Sequence, residues 1–79
     1  MTIKCIVAAV NASGEPDFFF CKVECSKEQY DNGEHYEAAE ELAEEEGYEP
    51  KLAYDERDPA GRAMLELLDW RNATIVTAG

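Results

Sequence analysis

Between Glu28 and Glu49 the chain carries ten acidic residues and neither lysine nor arginine. It has 18 acids and seven bases in 79 residues, a net charge of −11, so the remainder is close to neutral. One arrangement suits such a segment: an amphipathic helix over about Gly33–Glu46. At about 100° per residue, Glu34, Glu37, Glu40, Glu41, Glu44 and Glu45 fall within an arc of about 140°. The opposite side carries Ala38, Ala39, Leu42 and Ala43, with His35 at its edge. This thin, alanine-rich face predicts a helix packed close to a sheet, with its glutamates turned outward in ranks.

The flanking sequence supplies the sheet. Thr2–Val10 (TIKCIVAAV) is rich in β-branched residues and reads as a strand. Phe18–Cys25 (FFFCKVEC) reads as a second, and the Ala12–Pro16 turn between them makes a hairpin the economical connection. Ile3, Cys5, Val7 and Ala9 share one face, as do Phe19, Cys21, Val23 and Cys25. Pairing these faces builds one side of a core and places all three cysteines in it. The other face carries Ile6, Ala8, Val10, Phe18 and Phe20 and is apolar enough near the turn to need a cover or a partner.

Further along, Ser26-Lys27-Glu28-Gln29 matches the capping box and starts a helical turn. Gly33 interrupts it before the main helix, and Gly47 supplies a left-handed cap at that helix's end. Lys51–Asp55 reads as a short strand. Asp58-Pro59 is an N-cap followed by proline at the first helical position. Ala60, Ala63, Met64, Leu67 and Leu68 then recur at helical spacing up to about Trp70. Thr74–Ala78 closes as a strand. The expected fold is therefore α+β, a single domain over residues 1–79. Its order is β-β-α-β-α-β, a two-layer sandwich with both helices on one face of a four-stranded sheet.

Composition excludes several function classes. A sequence pI near 4.3 opposes binding to nucleic acid or an anionic membrane. No apolar run approaches the roughly 20 residues of a membrane span, and no signal peptide is legible, so a cytoplasmic location is expected. An odd number of cysteines is a poor disulfide framework and fits reduced thiols. Asn11-Ala-Ser13 and Asn72-Ala-Thr74 match the glycosylation sequon, and both read as chance matches without a secretory signal. His35 is the only histidine and has no second ligand at metal spacing, so it reads as structural. Asp55-Glu56-Arg57-Asp58 offers carboxylates for a cation, but Asp58 is better explained as the N-cap. No phosphate loop and no nucleophile–base pair occurs. No catalytic, cofactor or metal residue is expected, and the chain reads as non-enzymatic.

Folding does not call for the glutamate ranks. Like charges three or four apart repel by roughly 0.2–0.5 kcal/mol per pair. Six such pairs occur: 34/37, 37/40, 37/41, 40/44, 41/44 and 41/45. Glu44, Glu45 and Glu46 also lie where the helix dipole disfavours anions. Two readings follow. In the first, Glu34, Glu37, Glu40, Glu41, Glu44 and Glu45 bind the basic surface of a nucleic-acid-binding partner, where arginines and lysines otherwise hold phosphates. In the second, the acids serve solubility alone. The chain is then a structural or regulatory module that assembles through its sheet face, including with a second copy. A halophile's acidic surface is a third reading, disfavoured because salt adaptation should spread the acids. In size, acidity and concentrated helical carboxylates the chain resembles phage-encoded anti-defence proteins, including anti-CRISPRs and other nucleic-acid mimics. The likeness rests on Gly33–Glu49 and implies stoichiometric blocking of a host effector rather than catalysis.

Overall fold

The computed structural model describes residues 1–71 and 73–79; Asn72, the asparagine of the second sequon, lies outside them. Strands β1 (Thr2–Val10) and β2 (Pro16–Glu24) form the expected hairpin. Asn11 closes its turn: its Oδ1 accepts from the amides of Ser13 and Glu15 at 2.9 and 3.1 Å. Gly14 adopts φ +80°, as this tight connection requires. The asparagine of the first sequon is thus a turn residue.

Register pairs Ile3 with Val23, Cys5 with Cys21 and Val7 with Phe19 on one face of the hairpin. On the other face, Lys4 pairs with Lys22, Ile6 with Phe20 and Ala8 with Phe18. Strand β3 (Glu49–Tyr54) joins β1 antiparallel, and β4 (Thr74–Thr77) joins β2 parallel, giving a mixed sheet ordered β3-β1-β2-β4. The third strand starts earlier than Lys51 and contains Pro50. Proline is tolerated there because β3 is an edge strand.

Helix α1 (Lys27–Asp31) opens with the complete capping box, the Gln29 amide donating to Ser26 Oγ and the Ser26 amide to Gln29 Oε1. Helix α2 (Glu34–Glu45) follows Gly33, which stands at φ +76°. It ends where the Tyr48 amide reaches back to the Ala43 carbonyl across Gly47 at φ +92°. His35, Ala38, Ala39, Leu42 and Ala43 form its buried face. Its four apolar members pack with Ile3, Cys5, Val7, Cys21 and Val23 in the main core.

Helix α3 (Pro59–Leu65) corrects two expectations. It stops five residues short of Trp70, because Trp70 turns back to donate from Nε1 to the Leu65 carbonyl at 2.9 Å. Leu67, expected on the helix's apolar side, is consequently 87% exposed. Nor does α3 share a face with α2. Leu65 and Trp70 cluster with Ile6 and Phe20, on the face opposite Cys5 and Val7. Topology explains this. The connection through α2 runs from β2 to one edge, whereas the connection through α3 runs back across the sheet to the other edge. Two crossovers of the same hand travelling in opposite directions put their helices on opposite faces. Cover on the α3 face is partial: Phe18 and Leu52, which flank Ala8, remain 51% and 53% exposed. No helix among the described residues is long and apolar enough to cross a membrane.

The cysteines lie where expected. Cys5, Cys21 and Cys25 are unpaired and buried, and burial pushes the Cys21 thiol up to about 11 and Cys5 further still. A buried thiol that resists ionisation is a poor nucleophile. Native protein should therefore react with a maleimide or disulfide reagent only at the rate of its opening, and fully on denaturation. Rapid labelling of all three without denaturant would contradict this packing.

Candidate functional site

Helix α2 stands against the sheet as its alanine face requires, and the six glutamates divide into two flanks. Glu34, Glu37, Glu41 and Glu45 border a groove of about 270 Å³ that β4 closes through Val76 and Thr77. Glu40 and Glu44 lie on the far flank. Glu37, Glu41, Glu44 and Glu45 are exposed, whereas Glu34 and Glu40 are half-buried. Among the described residues none of the six takes part in an ion pair. The cations that do so bind elsewhere: Lys51 to Glu49, Arg57 to Asp55 and Arg71 to Asp69. The repulsion between neighbouring carboxylates is thus left uncompensated inside the molecule.

At the first turn of α2 lies a polar network that reading the sequence missed. His35 belongs to the buried face itself rather than its edge, and both His35 and Asp55 are fully buried. His35 Nε2 and Asp55 Oδ2 are 2.8 Å apart. Asp55 Oδ1 accepts from the Arg57 backbone amide at 2.8 Å and Oδ2 from Arg57 Nε at 3.0 Å, and the terminal guanidinium nitrogen stands 2.9 Å from Oδ2 as an ion pair. The Arg57 guanidinium lies 4.0 Å over the Tyr30 ring and donates to the Tyr36 hydroxyl at 3.4 Å. Tyr36 in turn lies tilted against His35, ring centroids 4.1 Å apart.

Only one tautomer suits this geometry. A carboxylate has no proton to give, so Nε2 carries the hydrogen and donates it to Asp55. The Arg57 nitrogen 3.3 Å from Nε2 is then a neighbour and not a donor to it. Among the described residues, His35 Nδ1 is left buried with no partner. Since Asp55 and His35 are closed to solvent, they have no access to a substrate. Their effect is mechanical: they tie the first turn of α2, where Glu34 and Glu37 stand, to the end of β3. Two sequence signals pointed this way, the lone histidine beside an apolar face and the Asp-x-Arg spacing that lets one residue chelate the other. Asp58, in contrast, is the N-cap it was expected to be, accepting from the Ala60 amide at 3.1 Å.

The chain matches no protein-family model, and no curated protein or solved structure is found to be similar to it. The fold and the charge geometry are therefore what a functional reading rests on.

Proposed function

We propose that this chain is a small, non-enzymatic, acidic binding protein of the cytosol. The carboxylates of α2 occupy a basic, phosphate-holding surface on a nucleic-acid-binding partner and block it. The phage or mobile-element anti-defence role that its resemblance implies is one setting for such an inhibitor. The observation that carries the reading is the set of six carboxylates on α2, four exposed and two half-buried, none of them ion-paired within the described chain. A helix of about 18 Å carries them along both flanks of its outer side, long enough to track several phosphate positions of a duplex.

The test is the triple reversal Glu37→Lys, Glu41→Lys and Glu44→Lys. Of the six repulsive pairs, four become attractive and two exchange one like charge for the other. The variant should therefore be more stable at low salt, by on the order of 1 kcal/mol. Capture of a partner from host lysate should be lost in the variant. Wild-type capture should weaken steeply with salt and be displaced by added duplex DNA or RNA. Unchanged capture by a folded variant would sink the reading.

The uncovered part of the α3 face supports a second one. Phe18, Ala8 and Leu52 lie side by side across three strands and form an apolar row without cover. Such a patch suits assembly with a second copy or a partner, with the acids serving solubility alone.

A further inference from the structure

We infer that the free edge of β4, together with the groove beside α2, receives an extended segment of the partner by strand addition. That segment carries lysine or arginine at alternate positions. The inference rests on the acidic-binding reading above and specifies the form of its partner. The two sheet edges differ in a way that points to it. On β3, the outer strand contains Pro50 and Lys51, and its register slips between Ala8 and Ala9, all devices that blunt an edge. On β4, Thr74–Thr77 has neither proline nor charge, and its parallel register with β2 is unbroken. Apart from its shortness it is an open edge.

Main-chain direction fixes what that edge offers. The Ala78 amide donates to the Glu24 carbonyl on β2, so by strand alternation Val76 and Thr74 also turn their main chain inward. Ile75 and Thr77 then turn their amides and carbonyls outward. Val76 sends its side chain to the α2 face, packing on the main core, whereas Thr77 points to the other face and shows the groove its backbone. An added strand would hydrogen-bond to Ile75 and Thr77. Every second side chain would face α2, about 6.6 Å from the next. Glu37, Glu41 and Glu45 succeed one another at about 6 Å along the helix, a matching interval. The intervening side chains would meet Ile75, which is 57% exposed on the opposite face. Basic residues on one side and apolar or small ones on the other describe the segment.

A hexapeptide alternating lysine with threonine serves as the probe, titrated into ¹⁵N-labelled protein at low salt. Two further peptides carry N-methyl groups, one on the lysine amides and one on the threonine amides. Strand addition uses only one of these sets, so one methylated peptide should bind about tenfold weaker while the other binds as the parent does. Thr77→Pro removes one outward amide and leaves the β2 ladder intact, and it should weaken the parent peptide about tenfold as well. Thr77→Val, which keeps the amide, should not. Equal binding by all three peptides, or full binding by Thr77→Pro, would overturn strand addition while leaving attraction by the glutamates standing. Absence of binding to the wild type would overturn it too. The acidic-helix reading fails separately, through unchanged lysate capture by the triple reversal.

Discussion

Asp55→Ala is expected to destabilise the protein by about 3–5 kcal/mol, the range seen when one partner of a buried ion pair is removed. The substitution takes the acceptor away from four contacts at once: the His35 ring, the Arg57 amide and two guanidinium nitrogens. Arg57 can swing to water, since its side chain is partly exposed, but His35 cannot. The ring would then be buried with neither nitrogen satisfied. A domain of this size has a total stability near the low end of about 5–15 kcal/mol, so the loss should lower Tm by on the order of 20–30 °C. A denaturant melt showing less than about 1 kcal/mol would mean the network is not the anchor described here.

The same carboxylate sets an acid limit on stability. Burial alone would raise its pKa, but hydrogen bonds from Arg57 and His35 outweigh burial and hold it at about 2. The folded carboxyl is therefore a stronger acid than in the unfolded chain, where aspartate titrates near 4. Its contribution is complete above that value and is lost as pH falls through about 2. The difference amounts to roughly 2 kcal/mol. Stability measured from pH 5 to 2, in salt that screens the glutamates, should decline in the wild type and lose this component in Asp55→Ala.

What the sequence disclosed about this fold was local. The hairpin follows from alternating apolar residues around a turn containing Gly14 and Pro16. The Ser26–Gln29 box and the Asp58-Pro59 start each declare a helix within four residues, and both stand as read. The glutamate face was legible for the same reason, since a helical period needs no knowledge of the rest of the molecule. Where the reading failed, a distant partner decided the outcome. Pro50 lies within a strand because that strand is at the edge. The α3 helix ends at Leu65 because Trp70 finds better burial against Phe20, its ring edge-on at 5.3 Å. Opposite faces for α2 and α3 follow from strand order, which no periodicity encodes. The candidate site divides in the same way. Its carboxylates could be read from the helix alone, but that four of them face β4 across a groove depends on tertiary placement. Likewise, His35, Asp55 and Arg57 come together only when the end of β3 meets the start of α2.

Gly61→Ala makes the last of these dependencies measurable, and there two physical effects oppose each other. Glycine inside a helix is less favourable than alanine by about 1 kcal/mol, so propensity alone predicts that the substitution stabilises α3. Packing predicts the reverse. Gly61 is buried, and a Cβ there would run into the carbonyl oxygen of Asp55, well inside contact distance, and would come within 3.0 Å of the Tyr54 Cβ. Neither obstacle is the end of a flexible side chain. Both belong to the chain just where β3 gives way to the loop that carries Asp55 and Arg57, so α3 or that loop must shift. Overpacking of this kind costs typically about 1–3 kcal/mol, and displacement of the Asp55 carboxylate adds to it. The expected result is a net destabilisation of at least about 1 kcal/mol. Trp70 is the only tryptophan and is buried against Ile6 and Phe20. If α3 lifts from the sheet, its emission should shift to the red while the helical signal of α2 persists. A stabilised Gly61→Ala with unchanged tryptophan emission would show that α3 sits loosely enough to admit a methyl group, and that its contact with the end of β3 does not hold the Asp55 network in place.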